Sequence, residues 1–297
     1  MKLVVDKLLR PVLRRITPPY LSPVDLFVGG EQGCWYAPSN LSALFQNSIG
    51  STPVTAATQP VGLALDQKKG LVLGVETVNN GTFSSSSSWS PPSNNASITG
   101  GQFVFDGVTS IVGNAFLSIN TPAVAPVVGK FYQVSFTISS DTTLPVYIRF
   151  GGVSTVGQSS PGTYTQYVVA INTSAATVFT GSGTGVRTGA IDNVSVRELP
   201  GNHALQATSG SRPTLALQSN QFHLSGGSIN WAAPAGTYTV AYLAETGPVI
   251  LTSQSLSGAT NVMAVSKIFE YVAVNRALTA DETQGLLDYF DLKGRYL

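Results

Sequence analysis

Between residues 79 and 197 the apolar residues recur at every second position in short runs, each run closed by Gly, Pro or Ser. In 132–138, Tyr132, Val134, Phe136 and Ile138 share one parity and Gln133, Ser135 and Thr137 the other. A period of two puts alternate side chains on opposite faces of a strand, one face buried and one wet. Val146-Tyr147-Ile148-Arg149-Phe150 and Tyr164 to Ala170 repeat the pattern between turns. Several such strands at short spacing predict a mainly β protein built on an antiparallel sandwich.

Size and composition fit this reading. A chain of 297 residues with 43% hydrophobic content can bury a sizeable core and is expected to hold more than one domain. Charged residues make up only 10%, against roughly 25% in an average soluble protein. A surface so poor in charge suits coverage by neighbouring subunits, which favours a homo-oligomer, a trimer as first guess. The formal net charge of +1 gives no reason to expect nucleic acid as a partner. The single cysteine, Cys34, excludes an internal disulfide framework and reads as a small buried side chain. No apolar run is long enough for a membrane span.

The N-terminal stretch is the most helix-like part of the first half. Val5, Leu8, Leu9, Val12, Leu13 and Ile16 follow the spacing of an apolar helical face, and Lys2, Lys7, Arg10, Arg14 and Arg15 supply a basic remainder. Pro11 interrupts the pattern, predicting two short pieces or a kink. No unbroken apolar region of a secretory signal is present. Residues 1–24 therefore read as a basic docking arm, carried by Lys2, Lys7, Leu8, Leu9, Arg10, Val12, Leu13, Arg14, Arg15 and Ile16. Thr17-Pro18-Pro19-Tyr20 and Ser22-Pro23 follow as a stiff extended link.

Residues 25–75 form the most distinctive segment. It runs Leu26-Phe27-Val28-Gly29-Gly30-Glu31-Gln32-Gly33-Cys34-Trp35-Tyr36-Ala37-Pro38-Ser39, then Leu41 to Gln46, Thr52-Pro53-Val54-Thr55 and Gln59-Pro60-Val61-Gly62-Leu63-Ala64-Leu65-Asp66. Ser39 or Asn40 is placed to cap a helical turn reaching Phe45. Over about forty residues, in order and spacing, this block resembles a segment of tailed-bacteriophage virion proteins, where it stands ahead of β-sandwich or lectin-like domains. Ala37 and Asn40 depart from that pattern, which has Asp at both places. Trp35 and Tyr36 read first as loop anchors and second as sugar-stacking rings.

Leu71 to Val75 is predicted as an apolar strand leading into the middle domain, 76–199. The opening Asn79-Asn80-Gly81-Thr82-Phe83 and the closing Ile191-Asp192-Asn193-Val194-Ser195-Val196 make this domain resemble the jelly rolls related to carbohydrate-binding modules. Trp89 reads as a core plug, with sugar stacking as the alternative. The resemblance implies a structural calcium near Asn80 and Asp192. A calcium cage takes six to eight oxygens, more than these positions supply, so no metal or other cofactor is expected.

Residues 200–217 read as a linker; it contains His203, which with His223 has no acid or thiol at metal-ligand spacing. Residues 200–297 then supply further strands, Trp231 as a fourth stacking candidate, and a final helix opened by a Thr279/Glu282 capping box and closed near Gly294. A strand running into Asn275-Arg276-Ala277-Leu278-Thr279-Ala280-Asp281-Glu282 resembles the C-terminal signature of concanavalin-like, laminin-G-type sandwiches. Eighty residues are short for such a sandwich. Completion by residues 61–75, with the jelly roll as an insertion, predicts contact between Val61–Val75 and Lys267–Val274.

No phosphate loop, nucleophile elbow, zinc-protease motif or Cys-x-x-Cys is present, and the acids are scattered in sequence, so no enzyme is expected. The expectation is a virion structural protein, anchored by its N-terminal region to capsid, portal or tail subunits, with β-sandwiches projecting as fibre, spike or head decoration. The alternative is a receptor-recognition module binding a host surface glycan through Trp35, Tyr36, Trp89 and Trp231; a glycan-degrading enzyme comes last.

Overall fold

A computed structural model describes residues 21–90, 96–105, 110–113, 116–119, 124–180 and 183–294. The expected docking arm, Met1 to Ile16, lies outside them. Among the described residues the protein is mainly β, with antiparallel sheets and one α-helix, Ala280–Gly294, at their C-terminal end. Ser22-Pro23 is not an extended link. Pro23 opens a 3-10 turn, Pro23–Phe27, in which the Asp25 carboxylate accepts the Ser22 N–H at 2.8 Å.

The middle of the chain builds a sandwich-like unit. One sheet orders its strands Gly162–Val169, Phe131–Ser140, Ala190–Glu198, Gln102–Phe105, Ala96–Thr99; another orders them Val153–Ser154, Val146–Phe150, Thr177–Thr180, Phe116–Ser118. The alternation read from the sequence is the burial pattern: Val134, Phe136 and Ile138 pack into one core with Val146, Ile148 and Phe150. Trp89 plugs that core beside Phe83, ring centroids 5.0 Å apart, and donates its indole N–H to the Asn80 carbonyl at 2.9 Å.

A further, larger sheet takes strands from both sides of that unit. Its order is Thr214–Gln218, Gln221–Ser225, Lys267–Val274, Asn230–Ala244, Ala204–Leu205, Leu63–Ala64, Leu44–Phe45, with Gly33–Tyr36 laid on Lys267–Val274 and Gly247–Asn261 on Asn230–Ala244. The strand that reaches Lys267–Val274 is thus Gly33–Tyr36, pairing Gly33 with Val274 and Tyr36 with Tyr271. Leu63–Ala64 pairs instead with Ala204–Leu205. The strand before the middle unit and the strand after it are therefore direct neighbours.

Leu71 to Val75 is not a strand. Leu71 takes a left-handed φ of 57° after the turn at 68–70, and Val72 and Val75 are exposed. Asn40 makes no side-chain cap, and the expected helical turn is a 3-10 turn, Leu41–Ala43, running into Leu44–Phe45.

Two strands of the large sheet are buried on both faces, which explains their nearly continuous apolar sequence. Val240, Tyr242, Ile268, Tyr271 and Ala273 face one core, while Ala241, Leu243, Phe269 and Val272 face the helix through Leu286 and Phe290. A shift of register opposite Leu243–Ala244 turns both Phe269 and Glu270 toward the helix. The capping box is formed as the sequence predicts: Thr279 N–H to Glu282 at 2.8 Å, and Glu282 N–H to the Thr279 hydroxyl at 3.2 Å.

Candidate functional site

Where the chain enters and leaves the middle unit, polar side chains are drawn into the interior. Asp66 is fully buried, and Lys68 and His203 nearly so. Asp66 Oδ1 accepts the backbone N–H of Trp35 at 2.9 Å and of Lys68 at 3.1 Å, and Oδ2 that of Asn202 at 2.8 Å. One carboxylate thus ties together three segments far apart in sequence. Lys68 Nζ lies 3.7 Å from Asp66 Oδ2 and donates to the Gly33 carbonyl, which also accepts Asn202 Nδ2 at 2.6 Å. Tyr36 Oη donates to the Asn202 carbonyl, and the Phe27 ring centroid lies 5.6 Å from Lys68 Nζ.

The geometry requires glycine at residue 33. Its φ is 137°, and a Cβ there would stand 1.8 Å from the Ala273 carbonyl oxygen. That close approach aims the Gly33 carbonyl at Lys68 and Asn202.

His203 completes the cluster. Its Nδ1 accepts the Asp66 N–H at 3.0 Å, so Nε2 carries the proton and donates to the Leu199 carbonyl at 2.9 Å. The ring packs on Phe131 of the middle unit, centroids 4.4 Å apart. Burial lowers its pKa to about 4, so the imidazole is neutral at pH 7. Burial likewise pushes Asp66 up and Lys68 down, and holds the Cys34 thiol and the Tyr36 phenol well above their ordinary values.

A second buried acid lies on the helix side of the same sheet. Glu270, fully buried, accepts Trp35 Nε1 and Tyr289 Oη on Oε1 and Lys293 Nζ on Oε2, each at 2.6 Å. Trp35 thus spans both clusters, by its backbone to Asp66 and by its indole to Glu270. Glu31, which reads in sequence as an isolated acid, is paired with Arg276 at 3.1 Å.

The four stacking candidates do not form a platform. Tyr36, Trp89 and Trp231 are buried, and Trp35 is half-buried with its indole N–H engaged. Stacking on a sugar needs an open ring face, and these rings spend theirs on the cores; Trp231 meets Tyr238 edge-on at 5.8 Å. A cleft of about 320 Å³ does open between the middle unit and the large sheet, lined among others by Phe131, Val169, His203, Leu205, Asn230 and Trp231.

Asn80 and Asp192 are engaged in local hydrogen bonds. The Asn80 amide donates to the Ser85 and Ser87 carbonyls at 2.6 and 3.0 Å and accepts the Ser84 hydroxyl at 2.8 Å; Asp192 accepts the Asn193 N–H at 2.6 Å. Among the described residues no group of three or more His, Cys, Asp or Glu side chains could hold a metal ion. Gly81 sits where a Cβ would be 1.8 Å from the Val194 carbonyl oxygen, so the Asn-Gly pair is needed for backbone contact.

Sequence reasoning missed the buried cluster because its parts look like loop. Gly201-Asn202-His203-Ala204 has the composition of a linker. Its one usable signal was a charged pair, Asp66 and Lys68, directly after an apolar run. No helix among the described residues is long and apolar enough to cross a membrane. No protein-family model matches the chain, and no curated protein matches it.

Proposed function

We propose that the chain is a structural component of a tailed-phage particle. In this reading the N-terminal region anchors it to capsid, portal or tail, and its β-sandwich units, the middle one of jelly-roll type and the last lectin-like, project as a fibre, spike or head decoration. The observation that carries an assembly role is the strand Gly247–Asn261. It runs 15 residues at the edge of the large sheet, contains no charged residue, and has a strand partner on one side alone among the described residues. Edge strands of free monomers are blunted by charge, shortness, proline or bulges; this one has Pro248 at its start and register shifts in its pairing, but it keeps its length and lacks the charge, as a surface that neighbouring subunits cover does. The burial of the aromatic candidates favours assembly over glycan recognition.

The test is the particle itself. Virions of the phage encoding this chain are purified, and the chain is sought by peptide mass spectrometry in wild type and in a deletion of residues 1–20. The reading expects the chain in wild-type particles and its loss from the deletion, although the shortened chain still folds. Absence from wild-type particles would refute the assignment; retention in the deletion would refute the arm.

A further inference from the structure

We propose that Lys68 and Asn202 become joined by an amide bond that the protein forms on itself, with Asp66 carrying the proton. Three observations meet here. The lysine amine and the Asn202 side-chain amide share one acceptor, the Gly33 carbonyl, which holds the two nitrogens within the span of two hydrogen bonds, about 6 Å at most. Asp66 stands beside both, 3.7 Å from Lys68 Nζ and bonded to the Asn202 backbone N–H at 2.8 Å. Asn202 is also pinned through its carbonyl by Tyr36, so both of its backbone groups are fixed. From there, closing Lys68 Nζ onto Asn202 Cγ to about 3–3.5 Å turns a slow bimolecular aminolysis into an intramolecular one.

The surroundings favour the reactive protonation states. An ammonium cannot attack a carbonyl, whereas a neutral amine can. Burial lowers Lys68 and raises Asp66, so passing one proton from lysine to aspartate leaves a neutral amine beside a neutral acid. Lys68 Nζ then attacks Asn202 Cγ. The nitrogen–carbon bond forms, neutral Asp66 gives the proton it holds to the departing Nδ2, and the carboxylate so formed takes the extra proton from the new amide nitrogen. The Cγ–Nδ2 bond breaks and ammonia leaves. No oxidant, reductant or cofactor is needed, and the product is an ordinary secondary amide.

The position gives the bond a role. Lys68 follows the strand that enters the middle unit and Asn202 precedes the strand that leaves it, so the bond clamps the base of the inserted unit shut.

The full chain is purified and its intact mass measured under denaturing conditions, followed by digestion. The expected mass is below the sequence value by one ammonia, with a branched peptide joining Lys68 to Asn202. Lys68→Arg and Asn202→Ala are expected to restore the full mass. Asn202→Asp is expected to reach the same final mass as wild type by losing water. A folded wild type that keeps its full mass after prolonged incubation at neutral pH would overturn the proposal. So would an ammonia loss mapped to Asn80-Gly81, where a cyclic imide gives the same change without a branch.

Discussion

Replacing Glu270 by Gln changes almost no volume and removes one charge from the contact between the helix and the large sheet. Oε1 can still accept Trp35 Nε1 and Tyr289 Oη, each now at 2.6 Å, but the acceptor becomes neutral. Charge-assisted bonds are roughly twice as strong as neutral ones, so each of the two loses about 0.5–1 kcal/mol. On the other side an amide NH₂ replaces Oε2 and faces the Lys293 ammonium, so that bond is lost altogether. Lys293 is about one-third exposed and can turn to water, which limits its share to about 1–2 kcal/mol. The sum is about 3 kcal/mol, or about a hundredfold in the opening equilibrium of the helix. Hydrogen exchange read by mass spectrometry measures it: peptides of Ala280–Gly294 and of Gly33–Tyr36 are expected to exchange about a hundredfold faster, with the middle unit unchanged. Replacing the set together, Glu270→Leu with Tyr289→Phe and Lys293→Met, is expected to recover part of the loss, because the Trp35 indole N–H is then the one group of the set left without its partner. Unchanged exchange of the helix in Glu270→Gln would refute this account of what holds it down.

Four further outcomes are expected. Gly33→Ala drives a Cβ into the Ala273 carbonyl and is expected to cost about 3 kcal/mol or more, read as a lower urea midpoint. For His203 the folded pKa, about 4, lies below the ordinary 6.5, so the unfolded chain binds the extra proton first. Its contribution is complete above pH 6.5 and is lost as pH falls toward 4, by roughly 3 kcal/mol in all; the pH dependence of urea midpoints should flatten by that amount in His203→Gln. Thr279→Ala removes one half of the capping box and is expected to cost about 1 kcal/mol, seen as faster exchange in the first helical turn. Ser255→Lys with Ser257→Lys, both exposed on the long edge strand, is expected to abolish self-association in sedimentation while leaving the circular dichroism spectrum intact.

The regular strands were legible because their alternation is local. Val134, Phe136 and Ile138 announce a buried face without reference to the rest of the chain, and Thr279 with Glu282 announces a helix start in four residues. What was hidden depends on partners far away. The Asp66 N–H finds His203 at a sequence separation of 137 residues, and nothing in Gly201-Asn202-His203 marks it as interior. The register shift beside Glu270 was equally invisible, since strict alternation would send Phe269 and Glu270 to opposite faces. Leu71 to Val75 failed for the opposite reason. Its apolar residues suggest a strand, but Leu71 is held in a left-handed conformation and the segment lies on the surface.

The pairing of Leu63–Ala64 with Ala204–Leu205 has a consequence for how such a chain changes over time. Ala64 faces Ala204 across one rung of the ladder, so everything between them leaves and returns through a gap one strand spacing wide, about 4.8 Å. The large sheet meets what is mounted there through Phe131 on His203 and Tyr167 on Phe45, but the covalent connection is confined to that one rung. A shorter sandwich, a different one or a plain loop would present the same two ends to the same rung. The base is a socket for the two ends, and any unit exchanged into it must also cover Phe45, Leu63 and Leu65, which Phe131 and Tyr167 now bury.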